Sequence, residues 1–309
     1  MLRSDRAAYL MLTAMAICFG GTWVPAAIAV EWVPPFTIAA LRFGSATILL
    51  YLWARLARRP LSPIGARDWP IVIGLAVTAV AGYNWLFLTG LTLAPATDGA
   101  IIVPGLAPVF TLAIASVVLG ERLGARGLAG MAVAAIGLFL VVRPAGEADG
   151  TRLLGDLLFL AGAVLWGVYS VIARIASRRF NAVSTSLYGI GLGTVILLPL
   201  AALEGGASAV ANAPVEALAG IAYLAVFGTV AAFVLLNLGV ARIGASKASA
   251  FALLVPVVGV LTSVAFLGES LGPTTLIGGV IVLVGLWLVE HGGARRPASA
   301  QPAPTAGRA

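Results

Sequence analysis

Cysteine and histidine are nearly absent from this chain: Cys18 and His291 stand alone. A lone cysteine excludes an intramolecular disulfide and a cysteine metal cluster, and one histidine leaves too few ligands or bases for metal-dependent or histidine-based catalysis. Charge is also scarce, at 10% of 309 residues, against 61% hydrophobic residues and a mean hydropathy of +1.05. So little polar surface cannot coat a soluble globule. The chain reads as an all-α integral membrane protein. No phosphate-binding loop is present, which excludes ATP-driven work by this chain alone. The carboxylates are not clustered and the loops are too short for a catalytic domain, so the residues of a membrane-embedded enzyme are missing.

What the chain does have is long apolar runs, continuous over lengths that suit helices rather than the short alternating segments of a barrel. Ten are recognisable, at about 9–30, 36–54, 70–90, 97–118, 126–142, 154–174, 184–203, 216–238, 246–267 and 274–290. The first exceeds a signal-peptide core and has no convincing cleavage site, so it reads as an uncleaved span. The 37 glycines suit helices that approach closely, since helix association in lipid relies on packing.

The basic residues set an orientation. With the N-terminus inside, 16 of the 19 basic residues fall in inside segments, among them Arg55, Arg58, Arg59, Arg67, Arg174, Arg178, Arg179 and Arg242. Only Arg143 and Arg152 fall outside, and Arg42 falls within a span. The positive-inside rule then predicts both termini in the cytoplasm. The net charge of +7 follows the loops, and no nucleic-acid partner is expected.

Residues 96–142 and 244–290 are one segment written twice, with 15 of 47 positions identical at an ungapped offset of 148, where chance gives about five in so apolar a composition. Pro108 pairs with Pro256, Leu119-Gly120-Glu121 with Leu267-Gly268-Glu269, Gly130 with Gly278 and Gly137 with Gly285. Each copy belongs to a half of five spans, an odd number, so the second half enters the membrane upside down. The expected organisation is a cytoplasmic segment 1–8, a five-helix repeat 9–142, an external linker 143–153, an inverted five-helix repeat 154–290 and a disordered cytoplasmic tail 291–309. Inverted repeats are a transporter architecture, with the substrate site near the midplane between halves.

These features, with Pro35 and Leu41-Arg42-Phe43 in span 2, the repeated Leu-Gly-Glu-x-Leu-Gly, and Gly155-Asp156 followed by Leu165-Trp166 and Tyr169, resemble the EamA-type branch of the drug/metabolite transporter superfamily. The resemblance covers about residues 9–290. It implies a bacterial inner-membrane carrier that exports small metabolites such as amino acids, with spans 1, 3, 4, 6, 8 and 9 around a cavity and spans 5 and 10 as scaffold. One departure is that Pro25-Ala26-Ala27-Ile28-Ala29 holds no basic residue where many relatives carry one, so an anion-binding role is not transferred to that helix.

Candidate residues follow from polarity at depth. Arg42 lies in a span, where arginine costs about 2.5–3.5 kcal/mol and therefore marks a cavity or a partner; the alternative is that its long stem snorkels to the surface. Thr22, Trp23, Tyr83, Asn84, Trp166, Tyr169 and Asn237 are polar or amphipathic groups inside apolar runs, as a small-molecule site requires. Pro104, Pro108 and Pro256 interrupt helix bonding and are expected to bend or hinge spans 4 and 9. Glu121 and Glu269 read as helix-end caps on opposite faces. Asp98 and Asp156 open spans 4 and 6 from outside, as first-turn partners of the helix dipole or as groups exchanging protons with the outer compartment. No acid lies at mid-depth.

The expected function is a secondary transporter working by alternating access, with the lipid bilayer and a small-molecule substrate as partners, a proton or ion gradient as one possible motor, no cofactor, and a monomer as the simplest assembly. A scaffold or sensor subunit, or a drug or cation efflux carrier, are the alternatives.

Overall fold

A computed structural model describes residues 2–120, 124–142, 150–243, 248 and 250–292. Among them there is no strand, and ten helices are long and apolar enough to cross a membrane: α1 (Arg6–Val30), α2 (Pro35–Leu56), α3 (Ala66–Leu91), α4 (Ala96–Val118), α5 (Ala125–Val142), α6 (Gly150–Ala176), α7 (Ala182–Leu203), α8 (Val215–Val240), α9 (Ala250–Leu267) and α10 (Pro273–His291). Every apolar run read from the sequence becomes one of them. The last residues of the expected linker are helical, since α6 starts at Gly150. The tail from residue 293, Glu121 and the rest of the linker lie outside the described residues.

Helix starts follow local chemistry. Pro35 opens α2 at its first position, where its missing N–H would have no partner and its fixed φ suits the helix. α1 breaks after Gly20 and resumes at Trp23; the Thr22 hydroxyl donates to the Phe19 carbonyl at 2.6 Å across that break. α9 begins as a 3₁₀ turn, Ala250–Leu253, before becoming α-helical at Leu254.

Packing repeats under a shift of five helices. α4 lies on α6 as α9 lies on α1, and α3 lies on α6 as α8 lies on α1. The self-paired contact, α5 on α10, is the most extensive. Its cause is the duplicated glycines. A Cβ on Gly137 would lie 2.6 Å from the Val282 nitrogen, and one on Gly285 2.5 Å from the Ala134 nitrogen. Here the two backbones touch, as small residues allow between membrane helices.

The third helix of each half carries a π-helical stretch, Ala76–Gly82 in α3 and Val226–Ala231 in α8. Such turns free carbonyls from the regular ladder and recur at functional sites. Side chains collect the freed groups: Asn84 Nδ2 donates to the Ala79 carbonyl and Thr229 Oγ1 to the Leu224 carbonyl, each at 2.9 Å.

Candidate functional site

A cavity of about 900 Å³ runs down the centre of the bundle. At its deep end are Trp23, Arg42, Phe87 and Val103, in the halves of α1 to α4 away from the basic loops. Toward the mouth are Ala115, Arg174, Thr185, Ala252 and Glu290. It therefore opens at the end of the bundle where α1, α3, α7 and α9 begin. At the opposite end Trp23 meets Phe87 and Phe159 edge-on, at centroid distances of 4.9 and 5.8 Å, and this layer shuts the cavity.

The aromatic wall is continuous. Tyr83 stacks on Phe87 at 5.9 Å, Trp166 meets Tyr83 at 5.0 Å and Tyr169 meets Trp166 at 5.2 Å. Face and edge contacts of this kind hold rings in fixed orientation, so the wall presents a rigid apolar surface from the closed end toward the mouth.

Arg42 is the charged group at the deep end. It is 9% exposed and does not snorkel. Nε donates to Thr229 Oγ1 at 3.0 Å, Nη1 to Asn84 Oδ1 at 3.2 Å and Nη2 to the Gly228 carbonyl at 3.1 Å, while the guanidinium lies 4.8 Å from the Phe43 ring centroid. One side chain from α2 thus ties together the π-helical stretches of α3 and α8. A guanidinium has five N–H donors, and these bonds occupy three of them. Among the described residues no carboxylate pairs with Arg42. A buried cation without a counter-charge is unfavourable, and this one faces the cavity.

Seven of the residues singled out from the sequence, Thr22, Trp23, Arg42, Tyr83, Asn84, Trp166 and Tyr169, line this one cavity. The side chain of Asn237 lies outside the described residues. Asn84 is 1% exposed and is spent on Arg42 and Ala79, so it orients the arginine. Pro104 and Pro108 line the cavity within an unbroken α4. Pro256 falls in the first turn of the α-helical part of α9, where a missing N–H disturbs less than mid-helix. Sequence reading missed Phe87 and Phe159. A phenylalanine in an apolar run carries no signal until the fold shows what it faces.

The cavity draws on α2 and α7 as well as on helices 1, 3, 4, 6, 8 and 9, through Arg42, Phe43, Thr185, Gly189 and their neighbours; α10 adds Val289 and Glu290 near the mouth, whereas α5 contributes nothing.

Polar contacts fasten the closed end. Glu269, after α9, accepts from the backbone N–H groups of Ala96 and Thr97 through one oxygen each, both at 2.8 Å. It caps a helix as expected, but the helix is α4 across the bundle rather than the following α10. Glu204, after α7, accepts from Thr37 N at 3.1 Å and from its hydroxyl at 3.3 Å, at the start of α2. Asp98 takes Arg152 Nε at 2.8 Å and Nη2 at 3.1 Å. Asp156 is the seventh residue of α6, past any N-cap position, and neither of its oxygens has a hydrogen-bond partner.

The signature of the EamA-like transporter family matches residues 6–143 and again 153–290. Relatives include the Uncharacterized transporter YyaM of Bacillus subtilis, 30% identical over 90% of this chain and 92% of its own. The Probable terminal-alkyne amino-acid exporter of Streptantibioticus cattleyicolor is 33% identical over 76% of this chain and 78% of its own. A solved crystal structure superposes with a TM-score of 0.60 at 22% identity, covering 92% of this chain and 96% of the other. That likeness supports the fold.

Proposed function

The chain belongs to the EamA-like transporter family, a multi-pass small-molecule transporter, and we propose that it is a secondary carrier exporting small amphipathic carboxylates, amino acids among them, across a bacterial cytoplasmic membrane by alternating access. The observation that carries this reading is Arg42: a buried cation with unused donors and no acidic partner among the described residues, set in an aromatic cavity. A carboxylate supplies the missing charge and accepts two parallel N–H bonds from a guanidinium. The aromatic wall from Phe87 to Tyr169 suits an apolar side chain on the same molecule. The name of the Streptantibioticus relative, an amino-acid exporter, favours the same class.

Orientation follows from charge. The open end bears Arg55, Arg174, Arg179 and Arg242, and the positive-inside rule assigns it to the cytoplasm. The carrier is then inward-facing, able to load from the cytoplasm, with a substrate or ion gradient as motor. Pro104 and Pro108 are hinge positions in α4, which Glu269 joins to the end of α9 at the closed end. Export of a cationic drug fits less well, because Arg42 repels a cation at the deepest point of the site. A scaffold or sensor role leaves the cavity without a use.

The test is a metabolite comparison between cells lacking and overproducing the protein. Carboxylate-bearing amphipaths should rise inside cells without it and in the medium of overproducers. Unchanged carboxylates, with a change confined to cations, would contradict the reading.

A further inference from the structure

At the closed end, where α6 crosses α4, an acid is buried without a hydrogen-bond partner, and the cation near it, Arg152, is bonded to Asp98 instead. Asp156 is 1% exposed and Asp98 is 0% exposed. The helices beside them pack closely: a Cβ on Gly155 would lie 2.5 Å from the Ala94 side chain, and one on Gly99 would collide with Trp23 and Phe159. Asp98 is satisfied by Arg152 through two bonds. The Asp156 carboxyl sits beside that of Asp98 without meeting hydrogen-bond geometry, and both its oxygens lack a partner.

Every charged group facing the pair among the described residues can be named. α4 contributes Asp98, and α6 contributes Arg152 and Asp156 itself. Glu269, after α9, acts on Asp98 and is engaged by the first two amides of α4. Glu31, after α1, lines a separate pocket on the outer side together with Glu269. The end of α3 and the turn after it, residues 91–94, have no titratable group. Thus one cation, already committed to Asp98, stands against the Asp98, Asp156 and Glu269 carboxyls. An ionised Asp156 here would be a buried, unpaired charge, which proteins avoid by neutralising the group. A neutral Asp156 has an O–H to offer the Asp98 carboxylate after a small rotation.

We propose that Asp156, with Asp98 beside it, is a proton-binding site of the outer gate: Asp156 gains one proton from the external solution as that end closes and returns it to the same solution as the end opens. The step is the addition of a proton to a carboxylate, and no other bond changes. Trp23 and Phe159 stand between the pair and the central cavity, whose lining includes neither acid. The proton therefore does not cross the membrane, and the site sets the gate's equilibrium instead of coupling a proton to transport. Since the closed state binds the proton more tightly, external acid favours closure and external alkali favours opening.

This inference rests on the alternating-access reading, because it needs the outer end to open. The test uses the full chain in intact cells, with Cys18→Ser and a reporter Ala27→Cys in the outer pocket, labelled by a membrane-impermeant maleimide at external pH 6 to 8. Asp156→Asn in the same background is always neutral, so its profile contains only the thiol's own pH dependence. The ratio of the parent's labelling rate to that of Asp156→Asn should rise at least about fivefold from pH 6 to 8. Parallel profiles would overturn the proton site while leaving alternating access intact; no labelling of any variant at any pH would overturn both. Asp156→Ser, also neutral, replaces the asparagine variant if that one does not reach the membrane. A pH indicator inside proteoliposomes gives a second readout, with no proton movement stoichiometric with flux expected; a fixed proton-to-substrate ratio abolished by Asp156→Asn would overturn the same-side exchange.

Discussion

Asn84 and Thr229 stand in the third helix of each inverted half, and both accept from the guanidinium of Arg42, at 3.2 and 3.0 Å. Each also donates to the carbonyl five residues before it, Ala79 and Leu224. The two π-helical stretches are thereby joined through one buried cation from α2. The site and the seam between the halves coincide, so a ligand that engages Arg42 acts directly on the side chain that links α3 to α8.

Replacing Arg42 should weaken both stability and transport. Arg42→Ala leaves Gly228 O and Asn84 Oδ1 without their donors, and hydrogen bonds to a charged group contribute about 1.5–3 kcal/mol each. Thermal unfolding in detergent should begin several degrees lower, and flux should fall at least about tenfold. Arg42→Lys should recover little, since an ammonium cannot reproduce the planar fork. Full activity in the lysine variant would show that charge alone suffices.

The α5–α10 contact predicts damage to stability with a milder effect on substrate recognition. Gly137→Leu or Gly285→Leu must separate backbones that touch at 2.6 and 2.5 Å from the added Cβ, and overpacking costs about 1–3 kcal/mol or more. Melting temperature should drop while the KM of protein that survives stays near that of the parent. A raised KM with unchanged melting would place this contact in the site instead.

Glu269 holds α4 from across the bundle, so Glu269→Ala should loosen the closed end. Loss of an N-cap contact costs about 0.5–2 kcal/mol, enough to shift a balanced gate severalfold toward opening. Labelling of the outer reporter should speed up accordingly, and Glu269→Gln, which keeps an acceptor oxygen, should lie between. Equal labelling in all three would remove Glu269 from the gate.

The fold was legible because its determinants are local or repetitive. Apolar run length gave ten spans, and glycines 130, 137, 278 and 285 proved to be the α5–α10 contact. The site was legible where a residue is costly in lipid. Arg42, Asn84 and the amphipathic aromatics announced themselves, whereas Phe87 and Phe159 are as inconspicuous as any lipid-facing ring. The capping role of Glu269 could be read from its place at a helix end; its attachment to α4 could not, because that contact joins residues 173 positions apart. Asp156 looked like a first-turn acid because the helix was expected to start at 154, but four more residues at its start moved it into the buried seam.

The most direct test of the account is counterflow in proteoliposomes, using a labelled aromatic or branched amino acid against its uncharged-carboxyl amide, for the parent and Arg42→Gln. The account predicts saturable exchange of the free acid by the parent, at least about tenfold less for the amide, and loss of that preference in Arg42→Gln. Equal exchange of acid and amide, or a preference for the acid that survives Arg42→Gln, would contradict it.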